Sequence, residues 1–357
     1  PFICKNGLQS FAIHNSINYC RSFSCHLPAM ISDNHRFCIA PMMKRTDRHF
    51  RYLARQFTKK SMLYTEMIHS NAILKGDREK LLSFSKIEHP VGLQLGGSDP
   101  EILAEAAKIG ESFGYDEINL NVGCPSKKVK SGNFGVFLMK DLGLLCSCIT
   151  EMKKSTTIPL TIKCRIGVDQ FEGEDYLKSF IDKISSLGIS TFIIHARKAI
   201  SGLDTKRNRS IPPLDYDLVH KIKQSFPELK IVVNGGIEEI ENVKMQLDRF
   251  DGVMLGRKIY SDPTFLLNVD REIYSEQTNL NFNNGIKNFM SYILELSNPK
   301  DVNRSINHLI QIIKRISKTK DVRRKLLLSL KDEEINLEDI FINFQEDLLQ
   351  KTQIQNP

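Results

Sequence analysis

Glu117-Ile-Asn-Leu-Asn-Val-Gly-Cys-Pro-Ser126 alternates polar and apolar residues and then stops at Gly123-Cys124-Pro125, which reads as a strand closed by turn chemistry. It runs without a break into Lys127-Lys-Val-Lys-Ser-Gly-Asn-Phe-Gly135. Cys124 therefore stands at the C-terminal tip of a strand. In a parallel α/β protein that tip is where chemistry is done, because loops leaving the strand ends are free to vary while the strands hold them still.

The arrangement recurs on both sides of this stretch. Before it, Phe37-Cys-Ile-Ala leads to Pro41-Met-Met, Met62-Leu-Tyr-Thr to Glu66-Met, and Val91-Gly-Leu-Gln-Leu to Gly96-Gly. After it, Leu160 to Arg165 leads to Ile166-Gly, Thr191 to His195 to Ala196-Arg, Ile231 to Asn234 to Gly235-Gly, and Gly252 to Leu255 to Gly256-Arg. Together these make about eight β/α units over roughly 230 residues, the requirement of a TIM (β/α)8 barrel. A doubly wound open sheet explains fewer of the units, and no Gly-x-Gly-x-x-Gly fingerprint follows the first strand.

The expected domain plan is an N-terminal extension over 1–36, the barrel over 37–275, a small helical region over 276–330 and an acidic helix or tail over 331–357. With 357 residues, 41% of them hydrophobic, the chain can bury a full core. No run of about eighteen apolar residues marks a membrane span. The eight cysteines include no Cys-x-x-Cys and none has a histidine at zinc-finger spacing, so reduced thiols and no metal are expected. Residues 1–36 hold Lys5, Arg21 and Arg36 against a lone Asp33 and are rich in Ser and Asn. They read either as a frayed N-terminus or as an organellar transit segment, and the initial Pro1 also fits a truncated gene reading. The expected location is accordingly cytoplasmic, or an organelle if the segment is a transit peptide.

In a barrel, Met42, Gln94, Asn121, Cys124, Lys163, Arg165, His195, Arg197, Asn234 and Arg257 converge on one rim. Singly each has an ordinary explanation: Gln94 satisfies a loop carbonyl, His195 is a hydrogen-bonded core residue, Lys163 snorkels out of the mouth. Jointly they argue for a bound polar molecule, because charged groups in a barrel are costly unless paired or liganded. The loops after strands seven and eight, Asn234-Gly-Gly-Ile and Gly256-Arg-Lys, occupy the usual phosphate position of this fold. A phosphate-bearing cofactor follows, with Gln94, Lys163 and His195 suited to line a flavin such as FMN.

Further motifs carry a family resemblance. Ala40-Pro-Met-Met, Thr46-Asp-Arg-His, Tyr64-Thr-Glu-Met, Leu93-Gln-Leu-Gly-Gly-Ser-Asp-Pro, the stretch Tyr115 to Ser126, Ile194-His-Ala-Arg-Lys-Ala, Asn208-Arg-Ser-Ile-Pro-Pro-Leu, Val233-Asn-Gly-Gly-Ile and Asp251-Gly-Val-Met-Leu-Gly-Arg resemble the tRNA-dihydrouridine synthases, above all the bacterial A type. The match covers residues 37–275.

What the resemblance implies is an FMN enzyme that uses NADPH to reduce the C5–C6 double bond of D-loop uridines, U20 and U20a among them, in tRNA. Pro41, Met42, Gln94, Lys163, His195, Asn234, Gly235, Gly236, Gly256 and Arg257 would hold FMN. Asn121 and Arg165 would hold the uracil, and Cys124 would be the general acid. Arg197, Lys206 and Arg209 would meet tRNA beside the mouth, and a monomer is expected. Beyond the barrel, Pro299 to Lys325 carries nine basic residues against Asp301 and Asp321, so Lys320 and Arg323 are expected to contact tRNA phosphates from a helical face. The bland alternative for that segment is a solvated charged helix.

Two departures stand out: Lys44-Arg45 replaces an acidic and an apolar residue, and Val136-Phe137 replaces an Ala-Cys pair. Two rival functions remain. A flavin dehydrogenase of free pyrimidines would need no basic helical segment, and a catalytically idle RNA-binding paralogue would have lost the cofactor ring.

Overall fold

Short runs of branched and aromatic residues, each ended by Gly, Pro or a polar turn, form the inner wall of this molecule. The computed structural model describes residues 33–126, 129, 132–316, 319–330 and 336–353, with side chains described up to 346. The reading of residues 1–36 as an extension or transit segment falls almost wholly outside these. Eight parallel strands form the wall: β1 (Phe37–Ile39), β2 (Met62–Tyr64), β3 (Val91–Gly96), β4 (Glu117–Val122), β5 (Leu160–Arg165), β6 (Thr191–His195), β7 (Lys230–Asn234) and β8 (Gly252–Leu255). β1 pairs with both β2 and β8, and β2 also pairs with β3, so the sheet closes on itself. A two-residue strand, Ile68–His69, is added beside the C-terminal end of β3. This is a TIM barrel, with each strand where the turn-bounded apolar runs of the sequence put it.

Helices return the chain between strands, α1 (Arg48–Arg55), α2 (Ser70–Lys75), α3 (Pro100–Ser112), α4 (Leu142–Ser155), α5 (Glu174–Ser185), α6 (Tyr216–Ser225) and α7 (Ile240–Leu247), and α8 (Leu266–Tyr274) follows the last strand. Several start on an aspartate: Asp47, Asp99, Asp141 and Asp215 each accept backbone N–H bonds in the first turn. Such caps satisfy donors that the helix itself leaves free.

Strand alternation divides the core in two. One set of side chains, including Leu120, Ile162, Cys164, Ile194 and Val233, packs outward against the helices. The other set points into the barrel, where Cys38, Ala40, Met62, Tyr64, Ile193, Val232 and Met254 fill one side. The opposite side, from β3 to β5, is polar. Glu117 accepts from Tyr64 Oη at 2.7 Å and Thr161 Oγ1 at 2.6 Å and meets the His35 ring at 2.6 Å. Asn119 donates to Thr161 at 2.8 Å and accepts from Gln94 at 2.7 Å. Burial makes each of these bonds worth keeping, and the ladder that they form leads upward to the rim.

Four more helices follow: α9 (Phe282–Leu294), α10 (Pro299–Ile313), α11 (Lys320–Ser329) and α12 (Leu337–Gln353). The first two dock on α1, where Tyr52 stacks on Tyr292 with ring centroids 3.9 Å apart, and the last two pack against α9 and α10. At Gly285 a Cβ would come within 2.4 Å of the Phe57 ring, so the close approach of α9 requires glycine. Arg48 pairs with Asp301 at 2.6 Å and His308 with Asp47 at 3.0 Å across the same seam. The basic stretch after Pro299, read as one periodic run, is divided between α10 and α11; Thr319 Oγ1 donates to the carbonyl of Ile313 at 2.8 Å just before α11 begins. In α12 the acidic residue Glu338 is exposed, whereas Ile340, Phe341 and Phe344 are buried in the core.

Candidate active site

The polar ladder ends at a cavity of about 390 Å³ at the C-terminal mouth of the barrel. Pro41, Met42, Gln94, Asn121, Cys124, Lys163, Arg165, His195, Arg197, Arg209, Asn234, Gly235, Gly236, Gly256 and Arg257 all line it. Met67, on the loop after β2, joins them, so every strand contributes, itself or through the loop that leaves it, as convergent strand ends allow. Lys206 is exposed on the loop after β6, outside the cavity lining, and Lys320 and Arg323 lie away from it on α11.

Cys124 is held from beneath. Asn121 Oδ1, near the C-terminal end of β4, accepts from the backbone N–H of Cys124 at 3.0 Å and of Gly123 at 3.2 Å, while the Asn121 amide donates to Gln94 Oε1 at 2.8 Å. The Cys124 carbonyl accepts from Val136 N at 3.1 Å. Gly135 sits at φ 61°, and a Cβ there would meet Val129 at 2.6 Å and the Cys124 carbonyl at 2.9 Å. Val136 thus serves this loop through its backbone and by being buried, which the departure from the Ala-Cys pattern does not disturb.

Arg165 does more than the sequence indicated. Its guanidinium is buried and donates to the carbonyls of Gly123 at 2.9 Å, Lys198 at 3.1 Å and Asn208 at 3.2 Å. It joins the Cys124 loop to the basic loop after β6. Asn208 folds that second loop: its side chain accepts from Ile200 N at 2.8 Å and donates to the carbonyls of Ile200 and Leu203, each at 2.9 Å. No local pattern in the sequence marks Asn208, because its partners appear only once the loop has closed. Burial pushes Arg165 down to about 10, aided by the cations Arg197 and Arg209.

Cations crowd the rest of the mouth. Lys163 donates to Asn234 Oδ1 at 3.1 Å, and Asn234 in turn donates to the Met254 carbonyl at 2.7 Å. Burial, with Arg165 beside it, pushes the Lys163 ammonium down to about 8. His195 is held well below the ordinary imidazole range by burial and then by Arg165, Lys163, Arg197 and Arg257, so it is neutral at pH 7. Its ring can then both donate and accept. Gly235 and Gly236 have φ of 120° and 71°, and a Cβ on Gly236 would strike Leu214 at 2.4 Å. Arg257 forms no ion pair among the described residues. Glycine backbone beside an uncommitted guanidinium suits a phosphate group. No group of three or more His, Cys, Asp or Glu among the described residues could hold a metal ion, and no described helix is long and apolar enough to cross a membrane.

A family model described as Dihydrouridine synthase matches residues 38–350. The tRNA-dihydrouridine(20/20a) synthase of Synechocystis sp. is 47% identical over 292 residues, covering 81% of this chain and 87% of that protein. The protein of the same name from Escherichia coli is 45% identical over 295 residues, 82% of this chain and 85% of its own. That from Salmonella typhimurium is 50% identical over 246 residues, 68% and 74% of the respective chains.

Proposed function

The chain belongs to the dihydrouridine synthase family, and from that membership we propose that it reduces the C5–C6 double bond of D-loop uridines in tRNA, at positions 20 and 20a, with FMN as cofactor and NADPH as reductant. Enzymes of this family are flavin-dependent oxidoreductases. The cavity residues fit FMN: positive-φ glycines and the unpaired Arg257 suit its phosphate, and Gln94, Lys163, His195 and Asn234 present donors and acceptors suited to a flat polar ring. Met42 and Pro41 complete the wall. When bound, FMN supplies the hydride that C6 of the uracil accepts.

The protein's own part is positioning and proton transfer. Reduction at C6 leaves negative charge toward C5, and the Cys124 thiol delivers the proton that neutralises it. Asn121 and Arg165 hold the peptide on which Cys124 stands, and both face the cavity where the uracil enters. The cations Arg197 and Arg209 at the mouth, with Lys206 beyond it, draw the RNA backbone to a site into which the base must be extruded. The observation that carries this reading is the shared cavity itself. One thiol, fixed through its backbone, shares a single cavity with a half-buried lysine and a glycine cradle.

The test is to incubate the purified, flavin-loaded protein with NADPH and tRNA lacking dihydrouridine, and separately with free uracil and uridine. Dihydrouridine at positions 20 and 20a, with no turnover of the free pyrimidines, is the expected result. Reduction of free pyrimidine without tRNA product would transfer the function to a free-pyrimidine dehydrogenase, and protein without flavin absorbance would favour an idle RNA-binding paralogue.

A further inference from the structure

Beside the catalytic cavity lies a second one, of about 350 Å³, where the barrel rim meets α10. Arg45, Glu238, Arg257 and Lys258 line both, so the two are neighbours, and Tyr260, Ser261 and Gln311 complete the second. Its centre is a stack. The Arg45 guanidinium lies over the Tyr260 ring, 4.8 Å from the centroid. Tyr260 is itself wedged against Phe50 at 5.2 Å and His308 at 5.9 Å, so the platform is fixed by the seam between barrel and helices.

Arg45 forms no ion pair among the described residues, and it lines this cavity together with Arg257 and with Lys258, which is held by Glu239 at 3.8 Å and Asp262 at 3.7 Å. The chemistry is that of a nucleobase: a planar cation for it to stack on, and the amide, hydroxyl and carboxylate groups of Gln311, Ser261 and Glu238 for its edges. RNA-binding proteins take up unstacked bases on aromatic and guanidinium planes in this manner. Arg45 is also one of the two positions where the first loop departs from the bacterial A-type pattern.

We propose that this second cavity binds the tRNA nucleotide that flanks the extruded uridine, stacking its base on Arg45. The inference rests on the tRNA reading given above. Extruding one base unstacks its neighbour, and a platform adjoining the catalytic mouth replaces part of the lost stacking. Such a subsite favours strands whose neighbouring base can leave the helical stack together with the target.

The experiment is a double-mutant cycle between protein and RNA. Arg45→Ala and, as a second variant, Gln311→Ala are paired with tRNA carrying an abasic residue on either side of the target uridine. Equilibrium binding and single-turnover dihydrouridine formation are both measured. Arg45→Ala should weaken intact tRNA about tenfold, as expected for one stacked base. The abasic tRNA should lose a similar factor with the wild type and little more with the variant, since both changes remove one contact. Gln311→Ala should shift binding in the same direction. Additive losses, unaltered tRNA affinity, full recovery in Arg45→Lys, or an effect confined to the KM for NADPH would each overturn the subsite. Absence of dihydrouridine from the wild type on intact tRNA would instead defeat the tRNA reading itself.

Discussion

Lys163→Met separates what this site costs the fold from what it does for a ligand. The ammonium has fallen from an ordinary 10.5 to about 8 because burial and Arg165 disfavour its charge. At about 1.36 kcal/mol per unit, the folded, ligand-free protein carries roughly 3 kcal/mol of destabilisation from this group at pH 7. The sign follows from the two protonation equilibria. Below pH 8 the lysine is charged in both states and the cost is full. Between pH 8 and 10.5 the folded protein sheds the proton while the unfolded chain keeps it, so the cost fades as pH rises.

Methionine keeps the stem and removes the charge, while the bond to Asn234 Oδ1 disappears at a cost of about 1 kcal/mol. The flavin-free variant should therefore be about 2 kcal/mol more stable at pH 7. With an unfolding entropy of about 2.1 cal/mol/K per residue, that raises Tm by about 3 °C. FMN affinity should move the other way, falling roughly ten- to a hundredfold with a charge-assisted bond removed. Calorimetric unfolding of the flavin-free proteins from pH 7 to 10, with FMN titration at pH 7, checks both. A variant less stable than the wild type at pH 7, or a stability difference between the two that does not shrink between pH 8 and 10, would refute the assignment of Lys163 as a strained cation awaiting an anion. The difference is what counts, because burial raises the thiols of Cys148 and Cys164 and their titration lowers the stability of both proteins alike.

Cys124→Ala should leave flavin reduction by NADPH intact while dihydrouridine formation in single-turnover assays falls by roughly two to four orders of magnitude, the usual worth of a general acid; loss of both half-reactions would assign the thiol a structural role. Arg257→Ala should purify with less FMN, its tRNA affinity falling by a smaller factor, as absorbance and filter binding would show; full flavin content would move the phosphate elsewhere. Replacing Lys320, Arg323 and Arg324 together by alanine should weaken tRNA binding across sequences and flatten the slope of log affinity against log salt by roughly two to three units. An unaltered slope would leave α11 as a solvated face.

The barrel and most of its rim were legible because parallel strands obey short-range rules. Each is a buried run ended by a turn, and within it alternate residues share a face. Glu117, Asn119 and Asn121 were therefore readable as one inward row, and Lys163 with Arg165, or His195 beside Asn234, as convergent tips. What escaped depends on loops meeting one another. Arg165 joins the Gly123 carbonyl to those of Lys198 and Asn208 on a different loop, and Asn208 ties that loop, whose closure no local pattern announces. Tyr260 and Arg45 lie more than two hundred positions apart in sequence and stack because barrel closure sets β1 beside β8, so that the loop after β1 meets the helical turn that follows β8. In α12, an acidic average hid an apolar face, since Ile340, Phe341 and Phe344 recur at helical spacing among carboxylates.

The same division explains how function can vary on this frame. Groups fixed by strand register, such as Lys163 and Asn121, cannot change without disturbing the bonds that position Cys124 or tie β5 to Asn234 on β7. Arg45, on the loop after β1, makes no such bond through its side chain and reaches only Tyr260 among the described residues. It is free to differ between relatives while the chemistry stays in place. Selection of which uridine enters the barrel is therefore expected to reside in loop side chains like Arg45 and in the helices behind them, with the reduction itself left to the strand tips.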